Sequence, residues 1–227
     1  MTARRNPSVY RILVIAAVLL ATPTTAGAGS DDDSYIRYVA FRSQVGSESV
    51  LLRWHEKKMP LKVYLTDPPE GLFEDPKKIR DAVREGIVDW TDVVKKGIPS
   101  FTFVDEIGAA DIPVVWETEP AGDWYVAHAA LDVSPPSPQF RVSRVLVTGR
   151  WHDRVAPPEY IYLVVLHEIG HALGFSGHSP DPADIMYAGG PEWVAPGLSL
   201  RDRETLSLLY SRPIGARVTG AKRERRY

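Results

Sequence analysis

Along the chain, Leu61, Val63 and Leu65 alternate with Lys62, Tyr64 and Thr66, the period of a strand with one buried face, and Pro68, Pro69 and Gly71 then break it. Asp75 followed by Pro76 reads as a helix start, because Asp caps free backbone N–H groups and Pro fits the first turn. Ile79, Val83, Ile87, Trp90 and Val94 recur at helical spacing from there, so a helix of roughly five turns with one apolar stripe is expected to pack on a sheet. Four more strands are predicted, at residues 101–104, 112–116, 124–131 and 142–147, with Pro113 suited to an edge or a strand's first residues. The run from Ser134 to Pro138 holds three prolines and is a loop. Residues 159–173 are apolar on every side and predict a buried helix ending at Gly174, followed by a Pro- and Gly-rich loop over 176–197. Ser199 and Asp202 have capping-box spacing and open a last helix running to about Tyr210. Residues 29–53 are polar and without sustained period, which predicts a loose lead-in to a domain over 54–212. The tail over 213–227 is basic and expected to fray.

Composition adds limits rather than detail. The 227 residues, 44% apolar and 25% charged, suit one globular domain, and a net charge of −2 gives no basic surface for nucleic acid. Arg4, Arg5 and Arg11 precede the apolar run Ile12 to Ala21, and Ala26, Gly27 and Ala28 follow, the order of a secretory signal peptide over residues 1–28 with cleavage after Ala28. That run is about half of what a membrane-spanning helix needs, so export to a periplasm or to the medium, without lasting membrane association, is expected. The chain has no Cys, so any metal must be held by His and carboxylate.

Such residues are present. His167, Glu168, Ile169, Gly170 and His171 fall inside the buried helix. Residues four apart share a helical face, so two imidazoles can reach one ion while Glu168 lies close enough to act on its water. A catalytic zinc needs a third protein ligand and an open position. Gly174 lets the chain turn back after the helix, and His178 is the candidate that returns. Two His and a Glu inside an apolar helix would be costly without a partner such as a metal. His55, His128 and His152 read as ordinary polar side chains, His128 having the alternative of a second metal position.

The run HEIGHALGFSGH, with Ile185, Met186 and Tyr187 after it, resembles the metzincin zinc peptidases and among them the matrixins: helix, glycine turn, third His and Met-turn. The likeness extends over about residues 53–210, through Arg53, Trp54, the strand at 61–65, Ala110 to Ile112 and the closing helix. It implies an α+β, zincin-like fold. A twisted, mostly parallel sheet of about five strands with an antiparallel edge strand would pack with two long helices, one carrying HExxH, and a C-terminal helix. It also implies a zinc-dependent endopeptidase, a monomer acting on protein or peptide, with Zn2+ on His167, His171 and His178 and Glu168 as general base. The substrate would lie extended along the strand at 124–131. Three residues, Phe175 to Gly177, stand between Gly174 and His178 where the family form has two. Gly177 is expected to absorb the extra one as a bulge, with Asp181 or Asp184 as the fallback ligand. Met186 lies eight residues after His178, the family spacing. Calcium, common in matrixins, finds no acidic loop of clear calcium-ligand spacing and stays open. Without Cys there is no cysteine-switch propeptide, so the protein is expected to be active as exported or restrained by another device. Ala188 replaces the usual Pro after Met-Tyr, so the family's pocket shape does not carry over. Two other readings remain at this point: a non-catalytic zinc-binding module with a degenerate site, and a zinc hydrolase of a non-peptide amide.

Overall fold

The computed structural model describes residues 10–15, 34–42, 49–94, 98–117, 127–134, 139–151, 154–188 and 197–221. Five strands of the six-stranded main sheet are β1 (Leu61–Leu65), β2 (Phe101–Val104), β3 (Ile112–Glu117), β4 (Ala127–Ser134) and β5 (Gln139–Thr148). Their order is β4-β5-β3-β1-β2, with β5, β3, β1 and β2 mutually parallel and β4 antiparallel to β5. The mixed α+β class with a mostly parallel sheet is therefore as expected. Tyr10–Ile15, which falls in the expected leader, pairs antiparallel with the outer edge of β4. The remainder of residues 1–28 lies outside the described residues.

Helix α1 (Pro76–Val88) starts as the sequence predicts, with the Asp75 side chain accepting from Lys78 N. It ends a turn and a half early. Trp90 stays buried and donates from Nε1 to Leu166 O at 2.8 Å, but the backbone leaves the helix there. Asp92 takes a φ of +59° and Val94 pairs with Ile98 in an antiparallel bridge. The apolar stripe thus continues through a turn, where spacing alone does not distinguish it from helix.

Helix α2 (Pro158–Leu173) packs against α1, β4 and β5. Gly86 permits the close approach of α1, since a Cβ there would lie 2.8 Å from Tyr162 O. Helix α3 (Leu200–Ser211) begins with the expected capping box of Ser199 and Asp202. The core joins Leu61, Val63, Ile112 and Val145 of the sheet with Ile87, Ile161, Val165 and Leu209 of the helices.

Two segments read as loose are packed. Tyr35, Ile36, Val39, Phe41, Leu51 and Leu52 are all buried, contrary to the expectation for residues 29–53. They lie in turns and short extended pieces, so they bury apolar side chains without any period. The start of the basic tail is tied to the same stretch, with Leu51 N donating to Ala216 O at 2.9 Å, Gly215 N to Leu51 O at 2.8 Å and Val218 N to Ser49 O at 2.8 Å.

Candidate metal centre

Helix α2 holds Tyr160, Ile161 and residues 164–173 out of solvent, so any polar side chain on it must be satisfied internally. It stops at Gly174, whose φ of +128° favours glycine, and whose missing Cβ leaves room for the Leu52 carbonyl. Gly174 N donates to His171 O at 3.0 Å and Phe175 N reaches back to Gly170 O at 3.2 Å, the paired bonds of a Schellman turn. The turn buries the Phe175 ring edge-on to Tyr35 and Trp90. It also aims the Phe175 carbonyl at His171.

Three imidazoles meet beyond this turn. The ligand atoms that His167, His171 and His178 offer lie within 4.8 Å of one another, and the ring centroids stand 4.8–5.1 Å apart. His167, His171 and His178 are 3%, 0% and 5% exposed, and Glu168, on the same helix, 2%. Among the described residues this is the one group of three or more such side chains able to hold a metal.

Protonation follows from the partners. His167 Nδ1 lies 2.7 Å from Ile185 O and His171 Nδ1 lies 2.6 Å from Phe175 O. A carbonyl only accepts, so both rings donate from Nδ1 and present bare Nε2 lone pairs to the centre. Burial, then the His178 imidazole, pushes His167 down to about 3. Burial, His178 and His167 hold His171 well below the ordinary value. Neither ring relieves the cluster by charging. His171 Nε2 and His178 Nε2 face each other at 3.2 Å, and His167 Nε2 is buried without a hydrogen-bond partner. A soft-to-borderline cation fits this all-nitrogen donor set and gives the orphaned nitrogen its partner.

The fallback carboxylates are engaged elsewhere. Asp181 pairs with Arg201 at 2.7 Å, and Asp184 accepts from Ser179 Oγ and, at 2.7 Å, from Ser199 Oγ. Gly177 lacks the positive φ of a bulge glycine; its small size matters instead, because a Cβ would run into the Tyr38 carbonyl. Met186 is fully buried under α2, its sulfur filling the space where Gly170 lacks a Cβ. His55 caps a short turn by accepting from Lys57 N at 3.1 Å. The side chain of His128 and the whole of His152 lie outside the described residues.

The carbonyls of Ile185 and Phe175, which orient two of the rings, leave no trace in side-chain chemistry. Asp202 shows only as a cap, yet its carboxylate also accepts from Ile185 N at 3.0 Å and Tyr35 OH at 2.6 Å, tying α3 to the Met-containing turn.

A mostly parallel sheet, a buried helix bearing two imidazoles and a glycine turn returning a third define the zincin-like class of metal-binding folds. Within that class, the matrixin family model matches residues 53–211, and the chain belongs to the matrixins, a family of zinc-dependent metallopeptidases.

Proposed function

We propose that this protein is an exported zinc endopeptidase in which His167, His171 and His178 hold the metal and Glu168 is the general base. The observation that carries the reading is the convergence of three buried imidazoles, two of them fixed as neutral Nε2 donors, on one point beside a buried carboxyl residue. Zinc held there supplies a Lewis acid for the scissile carbonyl and lowers the pKa of water toward neutrality. Glu168 accepts the proton of the attacking water and passes it to the amine nitrogen as the C–N bond breaks. His167 and His171 stay neutral through the cycle, held so by burial and by the neighbouring imidazoles, while their carbonyl partners fix which nitrogen carries the proton.

The substrate would be a protein or peptide lying extended along β4. Cleavage after Ala28 would remove Tyr10–Ile15 and open that edge. Amino-terminal sequencing of the exported protein tests this part, with Gly29 expected as the first residue.

Glu168→Gln tests the chemistry. Hydrolysis of casein is expected to fall by at least about a hundredfold while bound zinc stays at the wild-type level. Undiminished hydrolysis by the variant would remove Glu168 from its role. A wild-type protein that binds zinc but cleaves no peptide in a broad substrate library would point to the non-catalytic module.

A further inference from the structure

The loop with the extra residue before His178 does not stand alone. Ser176 donates twice to the carbonyl of Val39, from N at 3.1 Å and from Oγ at 2.9 Å. Gly177, next in the chain, lies so close to the Tyr38 carbonyl that no Cβ fits between them. Both contacts come from a segment over 130 positions earlier, as the Ser176–Val39 separation of 137 shows.

That segment is itself anchored. Tyr35, 1% exposed, gives its backbone N–H to Thr205 Oγ1 at 3.1 Å and its hydroxyl to Asp202 Oδ1 at 2.6 Å, both on α3. The other Asp202 oxygen accepts from Ile185 N, whose carbonyl holds His167. Residues 35–41 therefore bridge from α3 to the His178 loop, while Asp202 bridges from α3 to the turn under His167. The two routes leave α3 at neighbouring points and arrive at different imidazoles.

We propose that residues 35–41 are a positioning strap for the metal centre: Tyr35 anchors it on α3, and the Tyr38 and Val39 carbonyls set the loop that brings His178 to the other two rings. The strap explains how the chain tolerates three residues between Gly174 and His178. Ser176 and Gly177 are drawn outward onto the strap, so His178 Nε2 still arrives 3.2 Å from His171 Nε2. Orientation of a ligand by groups outside the coordination sphere commonly governs metal affinity about 10–100-fold. The inference rests on His178 being a ligand, and it does not need the protein to be a peptidase.

The test compares zinc release from the loaded chain into excess chelator, together with the visible spectrum of the cobalt-substituted protein. Gly177→Ala, which forces strap and loop apart, is expected to release zinc about tenfold faster and to change the cobalt spectrum. Ser176→Ala, a milder change, is expected to release it about threefold faster, and Ser176→Thr to restore the wild-type rate by keeping the hydroxyl. Val63→Ala, in the core of β1, serves as control: it lowers the unfolding midpoint while leaving release and spectrum unchanged. Release from Gly177→Ala and Ser176→Ala at the wild-type rate, or no faster than from a Val63 variant of equal stability, would overturn the proposal. The ranking Gly177→Ala, Ser176→Ala, wild type would support it even in a protein without measurable peptide hydrolysis, so the two readings fail separately.

Discussion

At the scale of single residues, the site is kept neutral by burial. His167 and His171 resist protonation in the folded chain, whereas unfolded histidines take up a proton near 6.5. Below that value the unfolded state binds more protons than the folded one, so stability of the metal-free protein is expected to fall as pH drops from about 6.5 toward about 3. Urea midpoints at about pH 7.5 and about pH 5 measure this, and equal midpoints would mean the rings are less enclosed than the geometry requires. Tyr35→Phe addresses the anchor: it keeps the ring against Phe175 but removes the donor from the buried Asp202. A loss of about 1.5–3 kcal/mol is expected in urea unfolding, as for other hydrogen bonds to charged groups. What the sequence revealed at this scale were side chains of unusual type at regular spacing, namely His167, Glu168 and His171. What it hid were partners that are backbone, such as Phe175 O and Val39 O, or that depend on distant contact, such as Tyr35.

Elements were legible in proportion to how locally their ends are determined. Helix α2 starts after Pro157 and stops at Gly174, and α3 starts at Ser199; in each case the residue that ends or begins the helix does so by its own chemistry. Helix α1 shows the converse, since nothing in the Ile87, Trp90, Val94 spacing announces the turn at Asp92. Strand β4 runs on to Ser134, past the expected end at Leu131, because its extent there comes from pairing with β5, Ser134 opposite Gln139, while residues 124–126 of the expected strand lie outside the described residues. The caps can be measured. Ser199 both caps α3 through Asp202 N and donates to the buried Asp184, whose carboxyl is raised chiefly by burial and lowered by its Ser179 and Ser199 partners. Ser199→Ala is expected to cost about 1–2 kcal/mol, read from the denaturant midpoint; a change within a few tenths would show that water replaces the hydroxyl at both places.

On the scale of the whole molecule, the metal would add a cross-link between α2, through His167 and His171, and the loop after it, through His178. Ligand binding to the folded state alone adds RT ln(1 + [L]/Kd), so free zinc at about 100 times its dissociation constant is worth about 2.7 kcal/mol. For a chain of this length that amount raises the unfolding midpoint by about 5–10 °C. Thermal unfolding in zinc and in chelator is therefore expected to differ by that much in the wild type and equally in Glu168→Gln, which keeps all three imidazoles. His178→Ala leaves two donors on one helix and is expected to lose most of the shift, because the remaining pair no longer ties the helix to the loop. A zinc shift of the same size in His178→Ala would mean that binding by α2 alone accounts for the stabilisation, and that the returning loop contributes nothing to holding the ion.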